Sequence, residues 1–137
     1  MTPIVSVREV AFAYDERPVL RRISFDLEPG EFVGIVGPNG SGKSTLIDLV
    51  DGILRPDKGD VLVAGRSTGA YRRRDMAREV ALVPQHFDLD FDLAVREVVE
   101  MGAYCHGKGA AGCDDAAGTL ARLGVAALGL GAGVVAR

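Results

Sequence analysis

The sequence predicts an α/β protein, a parallel sheet with an antiparallel β subdomain at its N-terminal side. Three patterns predict it. Residues 4–14 and 19–27 alternate apolar and polar positions around a turn at Asp15-Glu16-Arg17-Pro18, as two adjacent antiparallel strands do. Residues 32–36 and 80–83 are short, nearly continuous apolar runs, which suit strands buried on both faces of a parallel sheet. Between them, Leu46, Leu49, Val50, Ile53 and Leu54 recur at helical spacing, with Asp48 and Asp51 off that face.

Along the chain, Val5, Val7, Val10, Phe12 and Tyr14 mark a first strand or strand pair over 4–14, and Leu20, Ile23, Phe25 and Leu27 a further strand over 19–27. Glu28-Pro29-Gly30-Glu31 turns the chain into the apolar run 32–36. A helix over 43–54 is stopped by Pro56, and Asp57-Lys58-Gly59 turns into a strand over 60–64. A short helix is expected over 71–78, a buried strand over 80–83, and a helix over 94–104 carrying Val95, Val98, Val99 and Met101. Asp114 and Asp115 can cap a helix over 116–123. From 107 onward more than half of the residues are Gly or Ala, and no element is expected beyond Gly124.

The 137 residues carry 47% apolar and 26% charged side chains, a balance typical of one globular domain. A net charge of −3 gives no global basic footprint, so no nucleic-acid partner is expected. Arg72, Arg73, Arg74 and Arg78 read as a solvated helix face. Cys105 and Cys113, with His106, fit no familiar zinc spacing and read as unligated thiols. The N-terminal residues do not have the pattern of a secretory signal. The longest apolar stretch, residues 123–136, is broken by four glycines and falls short of the roughly 20 residues that span a bilayer. A cytoplasmic chain is expected, unless a partner brings it to a membrane.

One motif carries chemistry. Gly37-Pro38-Asn39-Gly40-Ser41-Gly42-Lys43-Ser44 matches G-x-x-x-x-G-K-[ST] in full. It follows an apolar run and opens a helix, so unpaired N–H groups and a helix dipole of about half a positive charge attract phosphate there. Gly37, Gly40 and Gly42 let the backbone curl around a phosphate without a Cβ in the way. Lys43 offers a mobile positive charge to the β- and γ-phosphates, and the Ser44 hydroxyl is placed to ligate Mg²⁺. The motif in this context predicts a P-loop NTPase-like fold that binds ATP.

Together with its flanks, the chain resembles an ATP-binding cassette (ABC) ATPase subunit. Phe12-Ala13-Tyr14 resembles the aromatic loop that stacks on adenine, which implies that role for Tyr14. GPNGSGKST, from Gly37 to Thr45, is close to the family's phosphate-loop wording. LIDLVDGILRPDKGDVLVAG, with Gly52, Gly59 and Gly65, looks like the family's helix, turn and strand. VALVPQ resembles the strand and Q-loop, implying that Gln85 reaches Mg²⁺ and the attacking water. VREVVEMGAY is similar to the region after the Q-loop in importers of iron chelates, vitamin B12, haem, zinc or manganese, which faces membrane subunits. The resemblance covers most of residues 1–104, expected to be the N-terminal part of a nucleotide-binding domain. Residues 105–137 are expected to be a partial helical subdomain and a divergent tail.

The resemblance implies ATP and Mg²⁺ as cofactors, transmembrane permease subunits as partners, and a homodimer in complete relatives. It implies a place at the inner face of the cell membrane. The adenine- and phosphate-binding residues implied are Tyr14, Gly37, Pro38, Asn39, Gly40, Ser41, Gly42, Lys43, Ser44, Thr45 and Gln85, with Ser44 and Gln85 at the metal. Four family elements do not occur in these residues: an LSGGQ-like signature, a Walker B strand, its following Glu and a switch His. Loss of a positioned general base costs about 10²–10⁴-fold in rate, so this chain is expected to grip ATP better than to cleave it. It is also expected to be incomplete at its C-terminus, through a truncated or shifted reading frame or as a fragment, and to aggregate alone. A non-catalytic nucleotide-binding module and a soluble non-transport ABC ATPase remain alternatives. A GTPase or kinase is disfavoured by Tyr14 ahead of the loop and by Pro84-Gln85 after the apolar run.

Overall fold

The computed structural model describes residues 2–84, 95–106, 118 and 122. The chain divides into two units, residues 1–82 and 83–137. In the first, alternation produces two long strands, β1 (Val5–Tyr14) and β2 (Arg17–Leu27), paired antiparallel from Val5 opposite Leu27 to Tyr14 opposite Arg17. On its other edge β1 pairs antiparallel with β3 (Lys58–Val63), which turns into the two-residue β4 (Arg66–Ser67). The sheet order is β2-β1-β3-β4.

Two irregularities bend this sheet. Glu9 and Arg22 both sit at φ 50°, a conformation that L side chains rarely adopt. The Arg22 guanidinium meets the Glu9 carboxylate at 2.6 Å, and the Glu9 N–H donates to Ser24 Oγ at 2.8 Å, so the bulged strands are cross-linked where their register slips. The β1–β3 register slips between Arg8 and Ala11, where Gly59 has φ +79°. A Cβ there would collide with the Arg8 carbonyl oxygen and lie 2.5 Å from that of Glu9, so only glycine lets the strands approach.

The apolar face of the sheet carries Val7, Val10, Val61 and Val63, each almost fully buried. Leu46 and Leu49 of helix α1 (Lys43–Val50) and Met76 of α2 (Arg73–Glu79) join them in one cluster. Burying a side chain such as Leu49 contributes about 1.5–3 kcal/mol. Helix α1 is shorter than the spacing predicted. It ends at Val50, with the Gly52 N–H on the Leu49 carbonyl and the Leu54 N–H on that of Asp48. Ile53, expected on the buried face, is exposed, because the chain has left the helix before reaching it. Helix α2 begins two residues later than expected, and Arg72, Arg73, Arg74 and Arg78 are exposed as the charge pattern required.

The α/β class and the antiparallel N-terminal sheet match the sequence pattern. The parallel pairing of the runs 32–36 and 80–83 does not form among the described residues, and neither run is a strand. Phe32 is 100% exposed and Val36 94%, whereas the pattern called for burial. A strand is stabilised by ladder partners and by layers covering both faces, and neither run has a ladder partner in the sheet described.

In the second unit, the predicted helix is α3 (Val95–Gly102), continued by a 3₁₀ turn at Ala103–Cys105. The Cys105 thiol is buried and donates to the Gly102 carbonyl. Gly118 and Arg122 are helical, within the helix expected over 116–123. Gln85 lies outside the described residues.

Candidate functional site

The site is built where the chain passes from the exposed run 32–36 into α1. Helix α1 has no side-chain cap and no acidic residue in its first turn, and its first internal bond is Leu46 N–H to the Gly42 carbonyl. The N–H groups ahead of Leu46 therefore present a positive helix end undiluted by carboxylates. Ser44 is exposed at this end, Lys43 is half-buried, and Thr45 turns inward and is buried.

The loop itself is compact. The Ser41 N–H donates to the Pro38 carbonyl at 3.3 Å, and a Cβ on Gly37 would stand 2.8 Å from Ser41 Oγ. The Lys43 ammonium curls back over the loop, donating to the carbonyl oxygens of Gly37 at 2.8 Å and Pro38 at 2.7 Å. Its charge is thereby held within the loop instead of extending into solvent. Gly42 has φ +89°, and a Cβ there would meet Leu20 Cδ2 at 2.8 Å and Val19 Cγ1 at 3.0 Å. Strand β2 thus presses against the loop, a contact between distant segments that no local pattern signals.

The same β1–β2 hairpin carries Tyr14 at the end of β1, with its ring half exposed. Phe12 packs edge-to-face with it, centroids 4.9 Å apart and planes at 86°. Aromatic ring and loop are therefore joined through β2: Tyr14 pairs with Arg17, and Val19 and Leu20 touch the loop. Asp57, assigned by the sequence only to a turn, reaches the end of β1 as well. Its carboxylate accepts the Ala13 N–H at 2.8 Å, and its own N–H donates to the Ala11 carbonyl at 3.0 Å. An acidic residue in a turn carried no signal of this contact.

Of the residues predicted for a site, the structure joins Gly37, Pro38, Asn39, Gly40, Ser41, Gly42, Lys43, Ser44 and Thr45 in one loop and helix start, and ties Tyr14's hairpin to it. The arrangement suits an anionic ligand at the helix start and a flat, apolar group at an exposed ring. Among the described residues, no group of three or more His, Cys, Asp or Glu side chains is placed to hold a metal ion. No helix among them is long and apolar enough to cross a membrane.

Comparison with known proteins agrees with this geometry. The chain is 37% identical over 103 residues to the petrobactin import ATP-binding protein FpuC of Bacillus anthracis, covering 75% of this chain and 38% of that protein. It is 42% identical over 108 residues to the high-affinity zinc uptake system ATP-binding protein ZnuC of Bacillus subtilis (strain 168), covering 77% and 45%. Its fold is similar to that of a bacterial Atm1-family ABC exporter with ATP bound, with a TM-score of 0.71, 27% identity, and coverage of 91% of this chain and 21% of that one. The chain thus spans less than half the length of these curated relatives. The ABC transporter family itself matches residues 20–129, well over half of the sequence and including the whole loop and α1. On that match, and with the loop built as described, the chain belongs to the ABC transporter family.

Proposed function

We propose that this chain is the ATP-gripping N-terminal portion of an importer's ATP-binding subunit, with a metal or metal chelate as cargo. The observation that carries the reading is the loop: a complete phosphate-loop sequence at a carboxylate-free helix start, with Lys43 drawn over it. The import direction is supported by the sequence relatives, since the fold is shared with an exporter.

Each residue has a role in this reading. The N–H groups from Gly37 to Thr45 and the Lys43 ammonium hold the β- and γ-phosphates. Tyr14 stacks on adenine with its exposed face. Ser44 and Gln85 are the residues that hold Mg²⁺. A single hydroxyl and a side-chain carbonyl, completed by phosphate oxygens and water, suit the hard, oxygen-seeking Mg²⁺ ion. When bound, that ion neutralises charge on the phosphates. Residues 1–104 form the nucleotide-binding portion, and the complete domain works as a homodimer.

The exposed Val98 and Met101 of α3, with Tyr104 in the turn that follows it, support a permease partner, because an apolar surface of this kind is stabilised by being covered. A peripheral position at the inner membrane face follows from that partnership. Titration calorimetry of the chain with ATP, GTP and tripolyphosphate, alongside a phosphate-release assay, tests the nucleotide role. ATP is expected to bind more tightly than tripolyphosphate, with no release above background. Affinities that ignore the base, or steady turnover, would overturn it. Co-purification with co-expressed permease subunits of a zinc or metal-chelate importer tests the transport role, and a clean failure to associate speaks for a free-standing nucleotide-binding module.

A further inference from the structure

We propose that Asp57 is a positioning residue for Tyr14, fixing the direction of the ring that receives the nucleotide base. The inference rests on the reading of Tyr14 as a base platform.

In an antiparallel ladder, alternate residues of a strand turn their N–H and C=O groups to the same edge. On β1, Ala11 and Ala13 turn theirs towards β3. The last residue pair of the β1–β3 ladder on that edge is Ala11 with Lys58. One residue earlier in the chain, Asp57 takes over. Its N–H donates to the Ala11 carbonyl at 3.0 Å, and its side chain, Oδ2, accepts the Ala13 N–H at 2.8 Å. A side-chain carboxylate therefore extends the ladder one step beyond where the strand ends.

That step is the one that matters for Tyr14. On the β2 edge Ala13 stands opposite Pro18, and its N–H turns the other way, to the Asp57 carboxylate. Ala13 is the residue immediately before Tyr14, and the bond to Asp57 fixes the Phe12–Ala13 peptide plane, which lies between the two aromatic residues. The plane, with the edge-to-face contact from Phe12 at 4.9 Å, sets where the Tyr14 ring lies. Asp57 is exposed and touches nothing of the phosphate loop by hydrogen bond, so its effect passes through the β1 backbone.

The test uses the full chain and calorimetric affinities for ATP and for tripolyphosphate, which has the anionic groups without the base. Asp57→Ala is expected to weaken ATP about three- to tenfold, the range of one modest hydrogen bond, and to leave tripolyphosphate unchanged. Asp57→Asn keeps an acceptor oxygen and is expected to restore most of the loss. Tyr14→Ala should weaken ATP by about fivefold or more, again without touching tripolyphosphate. In the Tyr14→Ala background, Asp57→Ala should add nothing. Equal losses for ATP and tripolyphosphate would make Asp57 a general stabiliser and overturn the proposal. So would a full Asp57→Ala effect persisting without Tyr14, or no effect in the presence of a strong Tyr14→Ala loss. If Tyr14→Ala leaves ATP unaffected, the base-platform reading itself fails, a separate result from any of these.

Discussion

The Lys43 ammonium donates to the carbonyl oxygen of Pro38 at 2.7 Å, five residues back along the same loop. With the second bond to Gly37, the cation joins both ends of the loop that it is meant to serve. Lys43→Met removes the charge and keeps the apolar stem. It should weaken ATP and tripolyphosphate alike, by about 1.5–3 kcal/mol, as expected for a hydrogen bond to a charged group. Calorimetric titration of both ligands checks this, and a variant that binds as tightly as the parent chain contradicts the role given to Lys43.

Gly59 and Gly65 share a positive φ but have opposite surroundings. A Cβ on Gly59 would run into the Arg8 and Glu9 carbonyls, and one on Gly65 would meet nothing within 4 Å. Gly65→Ala should cost about 1–2 kcal/mol, the strain of a left-handed L residue alone. Gly59→Ala adds a backbone collision that no rotamer change relieves, and should separate β3 from β1. Far-UV circular dichroism of the soluble fraction checks the pair. Equal spectra and equal soluble yield for the two variants would show that the β1–β3 approach is looser than described.

These contrasts mark where local pattern stops being informative. Alternation in residues 4–27 was enough to identify β1 and β2, since one buried face imposes its period on the sequence. The loop was legible because its spacing is a chemical requirement of phosphate binding. Val19 and Leu20 against Gly42 could not be read, because contact between distant segments leaves no periodic trace. Asp57 was hidden for the same reason. The runs 32–36 and 80–83 misled in the other direction: near-continuous apolarity reports a preference for burial, and only neighbouring strands can satisfy it. The early end of α1 leaves out Ile53 and Leu54, whose apolar spacing suggested another helical turn, while Gly52 at φ 73° already lies outside the helix.

Asp51 gives the first unit a pH dependence of known sign. Burial, and then the nearby Asp48 carboxylate, raise its carboxyl above the usual 3.8. The folded chain holds that proton more tightly than the unfolded chain. Its contribution to stability is therefore complete below the unfolded value and is lost as pH rises through the folded one. Asp51→Asn should flatten this fall. The onset temperature for loss of the circular-dichroism signal, followed in both proteins upward from about pH 4, checks it. A gap between variant and parent that narrows as pH rises would reverse the assigned sign.

The exposed run 32–36 should govern how the chain behaves alone. Phe32 is fully exposed and Val36 nearly so, and Val83 of the run 80–83 is 91% exposed. Association that buries such surface gains about 25 cal/mol per Å² of apolar area, and a run of strand-forming residues without ladder partners invites edge pairing. At micromolar concentration the 137-residue chain should therefore elute as heterogeneous assemblies. Phe32→Lys with Val36→Lys removes no buried contact, since neither side chain is covered, and places two repelling charges on the run. The double variant should shift towards monomer in size-exclusion chromatography with light scattering, with an unchanged far-UV spectrum. A parent chain that is already monodisperse, unfolding cooperatively in urea as a monomer, would mean that the run is satisfied within the chain itself.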